Sequence, residues 1–181
     1  MKPEPLITRY LRRRYLTANE CNLLRPIFKQ SLDYAAMRVA AKCFMPFQAA
    51  QTAITPNGII YLPQNLYAPD FAQSSWTLRQ LFIHECAHVW QHRLGYPVLR
   101  CGICLALQGG YYKNRAYRYR HLLRDRQDIA QFNMEQQAEI IAEYFTVKFQ
   151  HGIEDPALKP VLQRFLHNPA DSSLLPEKMR I

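Results

Sequence analysis

The sequence predicts an α+β fold: a mainly helical single domain with a small β-hairpin or sheet beside one helix. Three observations carry this. Apolar residues recur at three- and four-residue spacing between Ser75 and Gly95, a helical period. A second helical pattern opens at Asn133. Thr52-Ala53-Ile54-Thr55 and Ile59-Ile60-Tyr61-Leu62 flank the turn signal Pro56-Asn57-Gly58, the clearest hairpin in the chain.

Taken in order, Thr17-Ala18-Asn19-Glu20 has the form of a capping box and opens a short helix, interrupted near Pro26. Met37 to Met45 is open between strand and helix, because its Ala-rich middle pulls against Val39, Cys43 and Phe44. Pro63 to Phe71 reads as a loop. Ser74 or Ser75 is the N-cap of the next helix and Gly95 its left-handed stop, with Leu78, Leu81, Phe82, Cys86 and Val89 on the face to be buried. Tyr96 to Asp128 is a long connection with a mobile centre at Gly109-Gly110-Tyr111-Tyr112, and loops of that length in a compact domain are commonly functional. Asn133, with Gln136 as its capping-box partner, opens a helix that runs to about Gly152. Pro156 to His167 is a final helix and Asn168 to Ile181 a tail.

The helix between Ser75 and Gly95 carries His84-Glu85-Cys86-Ala87-His88. Residues four apart lie on one helix face, about 6 Å apart, so two imidazoles can reach one metal ion. Glu85 then projects beside that ion, where a carboxylate can take a proton from a zinc-activated water. The bland alternative is two ordinary helical histidines with an incidental Glu. Two histidines do not hold a catalytic zinc, so a third ligand is required. His92 lies eight residues from His84, about 12 Å along the axis at 1.5 Å per residue, and is too far. The second helix is the better source, since Glu135, Glu139 and Glu143 follow one another at four-residue steps. Like charges so placed cost a few tenths of a kcal/mol per pair, a penalty that a nearby divalent cation would reverse for the first two.

A His-Glu-x-x-His helix followed by a helix bearing Glu135-x-x-Ala138-Glu139 resembles the gluzincin-type zinc peptidases, within the broader zincins. That resemblance implies Glu135 as the third metal ligand and Glu139 as the brace for His84 or His88. More narrowly, Ile83-His84-Glu85-x-x-His88-Val89-Trp90-Gln91 with Phe132-Asn133-x-Glu135-Gln136-Gln137-Ala138 is similar to the Rhs/Vgr-related bacterial zinc metallopeptidases. Asn57-Gly58-x-x-Tyr61 and Asp70-Phe71 extend the likeness over about residues 50–150. Cys86 departs from that family's usual Met or Leu. The resemblance implies association with type VI secretion and polymorphic-toxin loci, with secretion-spike and immunity proteins as partners.

Composition bounds the remainder. A chain of 181 residues that is 49% apolar suffices for one domain with a real core, expected at about residues 17–167 of the single domain 1–181. The basic N-terminal segment and the C-terminal tail are expected to be peripheral. No 18-residue apolar run is present, so no membrane span is expected. Met1 to Tyr10 has no apolar h-region, which argues for synthesis in the bacterial cytoplasm without a Sec signal; export by a dedicated secretion system to a target-cell periplasm, which the resemblance implies, would leave no such mark. Among five cysteines, Cys101-Gly102-Ile103-Cys104 lacks a second pair at zinc-finger spacing, so burial or an incidental disulfide is favoured over a metal or redox role.

Lys and Arg exceed Asp and Glu by 23 − 14 = 9. Much of this excess sits in Arg9 to Tyr15 and Lys113 to His121, where Arg and Tyr interleave. Such runs can stack on bases, but no nucleic-acid motif accompanies them; a solvated or partner-facing surface, then an anionic substrate, are the stronger readings.

The sequence is therefore read as a zinc metallopeptidase-like domain acting on a peptide or peptidoglycan substrate. His84, His88 and Glu135 bind Zn²⁺, Glu85 is the general base, Glu139 is the brace, and Tyr117 and Tyr119 are the phenols offered for the oxyanion. The alternatives are a peptidoglycan amidase or endopeptidase toxin, a catalytically inactive adaptor of a secretion system, and a nucleic-acid-binding protein with a chance motif.

Overall fold

The computed structural model describes residues 13–46 and 48–177. The reading of residues 1–10 as lacking a Sec signal, and the outer ends of the basic segment and of the tail, lie outside these residues. The fold is α+β and mainly helical: β1 (Arg13–Tyr15), α1 (Ala18–Phe28), β2 (Arg38–Ala40), β3 (Ile59–Tyr61), α2 (Trp76–Arg93), α3 (Val98–Leu107), α4 (Met134–Phe145) and α5 (Leu158–His167), joined by several short 3₁₀ turns. Among the described residues no helix is long and apolar enough to cross a membrane.

The small sheet has the order β1-β2-β3. β1 runs antiparallel to β2, with Arg14 opposite Val39, and β2 runs parallel to β3, with Val39 opposite Ile60. The segment left open between helix and strand is thus a short strand, its Val39 and Ala40 buried. The expected hairpin is largely replaced. Residues 52–55 keep a single bridge, Ile54 to Tyr61, and the main partner of β3 is β2. Pro56 has no N–H to continue the ladder, and the Thr55 hydroxyl is drawn instead to Glu85. The turn is held by Gly58 at φ +77°, a conformation that disfavours other residues. A Cβ there would also meet the His92 ring at 2.6 Å, so His92 packs on the turn rather than serving a metal.

Both long-helix caps follow the sequence. Ser75 caps α2 by accepting from the Leu78 N–H, and Gly95 follows its end at φ +93°. Asn133 and Gln136 form the capping box of α4, which continues as one wide π-type turn over Thr146–Gln150. α2 is not amphipathic in the expected way, however. Every residue from Phe82 to Gln91 is buried, because the helix packs against β3 and the 3₁₀ turn at Phe71–Gln73 as well as against α4, its most extensive neighbour. The main core gathers around it, with Phe71 stacked on Phe82 and Trp90 edge-on to Phe165.

Three expectations about the periphery are corrected. The connection from Tyr96 to Asp128 contains α3, whose Val98, Cys101 and Leu105 join Tyr96, Ala116 and Met134 in a second, smaller core. Cys101 is buried there as a free thiol, and Cys104 is a half-buried free thiol. The tail is not peripheral: Leu174 is buried, Trp90 donates to the Pro169 carbonyl at 2.6 Å, and the Glu177 N–H donates to Ala130. The inner end of the basic segment is structural as well. Arg14 makes a bidentate pair with the fully buried Glu20 at 2.7 Å and donates to Tyr67 and Ala68, while Glu20 also accepts from the Thr17 and Phe71 N–H groups. Interleaved Arg and Tyr are here used internally, as the Arg38 guanidinium over the Tyr15 ring repeats.

Candidate metal centre

The local helical rule sets the first half of the site. His84 and His88, one turn apart on α2, bring their Nε2 atoms to 3.2 Å of each other. α4 crosses this face and supplies Glu135 from its first turn, with Oε2 3.3 Å from His84 Nε2 and 3.2 Å from His88 Nε2. The three donors form a nearly equilateral triangle, and all three residues are buried. Two ligands of a tetrahedral ion with bonds of about 2.0–2.1 Å lie about 3.3–3.4 Å apart, so the triangle matches one face of such a coordination shell. His84, His88 and Glu135 could therefore hold a metal ion with one position left open.

The outer nitrogens point away from the triangle and are both engaged. His84 Nδ1 lies 3.2 Å from Glu139 Oε2, and His88 Nδ1 lies 2.8 Å from Gln91 Oε1. Gln91 is itself fixed, since its amide donates to the Met134 carbonyl and to Gln137 Oε1. Gln137 in turn donates to Ile129 and Leu174 carbonyls. With each Nδ1 acting as donor, both Nε2 lone pairs face the triangle, the tautomer a metal needs. Gln91 and Gln137 stand in the sequence only as part of the family-like motif, with no role attached to them. Helical spacing from His88 to Gln91 was the available signal.

Electrostatics concentrates charge here. Burial opposes the imidazolium of His84, but hydrogen bonds to Glu135 and Glu139 outweigh it and raise its pKa to about 10. His88 is raised too, burial being overcome by the Glu135 carboxylate. Burial would lift Glu135, yet the two histidines hold it well below the usual carboxylate range. A cation held by this cluster would compete with the imidazolium proton.

Glu85, the expected base, lines the same cavity and accepts from the Thr55 hydroxyl at 2.6 Å. The cavity has a volume of about 510 Å³ and is lined by the buried His-His-Glu cluster, by residues of the segment 48–56 and by α3. Tyr117 lines it, its ring centroid 6.0 Å from that of His84. Tyr119 does not; it packs edge-on to Phe132 in the main core and hydrogen-bonds Glu143, which also pairs with Arg120. Glu143, third in the acidic row, is thus neutralised by Arg120. The phenol that sequence reasoning missed is Tyr111, which donates at 2.8 Å to Glu135 Oε1, while Oε2 is the oxygen that faces both imidazoles. Burial and the charge of Glu135 push Tyr111 and Tyr117 far above the ordinary phenol range, so both stay protonated donors.

No family model matches the chain. It is 33% identical over 144 residues, 77% of its length, to the type VI secretion system spike protein VgrG2b of Pseudomonas aeruginosa. The match spans only 13% of that relative. The solved effector domain of Pseudomonas aeruginosa VgrG2b superposes with a TM-score of 0.62 at 30% identity, covering 84% of this chain and 81% of that domain.

Proposed function

Because this chain belongs to the family of the VgrG2b effector domain, we propose that it is a zinc-dependent metallopeptidase delivered as a type VI secretion effector. The observation that carries the enzymatic half is the triangle of His84, His88 and Glu135 with Glu85 in the same cavity. Zinc suits this mixed nitrogen and oxygen donor set, and when bound it supplies Lewis acidity toward a carbonyl and acidifies water.

The protein's own groups supply the remaining steps. Glu85 accepts a proton from the attacking water and returns it to the leaving amine as the amide C–N bond breaks. Thr55 holds one Glu85 oxygen, which fixes the carboxylate so that the other oxygen can face the water. Tyr117, and Tyr111 if released from Glu135, are neutral donors that can meet the carbonyl oxygen as it gains charge. Gln91 and Glu139 keep the two imidazoles aimed.

Delivery rests on the likeness to a spike-protein effector domain, which makes a secretion spike and an immunity protein the expected partners. The test uses purified protein and an unfolded polypeptide substrate. One zinc per chain and hydrolysis are expected. Glu85→Gln should retain zinc and lose about 10²–10⁴-fold in rate. Hydrolysis unchanged in Glu85→Gln would overturn the reading.

A further inference from the structure

The walls of the cavity differ in chemistry. The His-His-Glu cluster is polar, but the side formed by α3 presents Val98, Leu99, Gly102, Ile103 and Ala106. Leu99 and Ile103, one turn apart, are 43% and 52% exposed despite their size. Solvent contact at these residues is unfavourable unless something else covers them. Among the described residues no Lys, Arg or Asp lines the cavity, and its carboxylates are Glu85 and Glu135. A charged substrate side chain entering beside α3 would lose water and find no counter-charge.

The segment 53–55, which lines the same cavity, favours an extended polypeptide. Ile54 turns its N–H and C=O toward Tyr61. By strand alternation the backbone groups of Ala53 and Thr55 face the other way, and they have no backbone partner among the described residues. Both residues line the cavity. A chain laid along this edge would run past Thr55 and its partner Glu85, with alternate side chains directed across the cavity.

We propose that the α3 wall is a subsite for a large apolar side chain, beside the scissile bond, of an extended polypeptide substrate. The assignment rests on the peptidase reading above and names its substrate class. It disfavours peptidoglycan stem peptides, whose carboxylates and amines have no partner on this wall. Discrimination of about 10–200-fold between large apolar and small or charged side chains is the scale such pockets reach.

The test measures kcat/KM of the zinc-loaded protein on unstructured peptides that differ at one central position, Leu, Phe, Ala, Asp or Lys. Binding of the same peptides to Glu85→Gln protein is followed in parallel by fluorescence anisotropy. Leu and Phe should lead in both series, and Ile103→Glu, at a half-exposed position that tolerates charge, should erase that lead and favour Lys. If the binding order holds while the wild type cleaves nothing, the subsite stands and the peptidase reading falls. A flat or charge-led order in the binding series, an order indifferent to Ile103→Glu, or release of stem peptides from purified sacculi in preference to the Leu peptide would each overturn the subsite.

Discussion

The Nε2 atoms of His84 and His88 face each other at 3.2 Å, while the Nδ1 atoms of the same rings are bound to Glu139 and Gln91. Two lone pairs so close repel unless a cation lies between them. Zinc content should therefore fall to near zero in His84→Ala and Glu135→Ala. Glu139→Ala should keep zinc with affinity about 10–100-fold weaker. Metal analysis and chelator competition check this. Full stoichiometry in both ligand variants would dismiss the assignment.

Gln91 offers a second check on the same geometry. Gln91→Leu removes the acceptor of His88 Nδ1–H and strands Gln137 Oε1, both in a fully buried setting. A loss of about 1–3 kcal/mol in stability and a weaker hold on zinc are expected. Nitrogen-15 NMR of His88 should show its proton redistributed between Nδ1 and Nε2. An unchanged tautomer would mean Gln91 does not set it.

Stability should depend on pH in opposite senses with and without metal. His84 is raised from about 6.5 when unfolded to about 10 when folded. Its contribution to the metal-free protein is full below about pH 6.5 and is lost as pH rises toward 10, where the folded state sheds its extra proton. Glu135 is depressed, so its contribution is present above its unfolded value near pH 4 and is lost on further acidification. Zinc requires neutral imidazoles and displaces the protons, so its stabilisation should grow over about pH 6–9. Melting curves of chelated and zinc-loaded protein test this. A zinc-induced Tm shift that shrinks with rising pH would contradict it.

The three tyrosines should separate by role. Tyr117→Phe and Tyr111→Phe remove donors at the cavity and should lower kcat by about 10²-fold while zinc remains, the lower end of the cost of losing one oxyanion donor. Tyr119→Phe loses only the Glu143 contact away from the cavity. It should cost about 1 kcal/mol and leave kcat within about twofold. A kinetic defect confined to Tyr119→Phe would restore it as the catalytic phenol.

Arg14→Ala leaves the carboxylate of Glu20 buried with only backbone donors. Loss of one partner of a buried pair costs about 3–5 kcal/mol. Denaturant unfolding should show a loss of unfolding free energy of that size, and Arg14→Ala/Glu20→Gln should recover part of it.

What this sequence determined by itself is local. The Thr17 and Asn133 capping boxes, the Ser75 cap, the Gly95 stop and the one-turn spacing of His84 and His88 are set by neighbours within four residues. Those rules are the same in any context. The acidic row also narrowed the third donor to α4 before any contact was visible. Only the tertiary structure decided which partners meet. It set Glu135 against both imidazoles, gave Glu143 to Arg120, and carried Tyr111 rather than Tyr119 to the cluster. It also paired β3 with β2, filled the long connection with α3 and buried the tail at Leu174. The reason is that these outcomes depend on contacts between residues far apart in the chain. For α2, burial of every residue from Phe82 to Gln91 overrides the single apolar face that its own spacing implies.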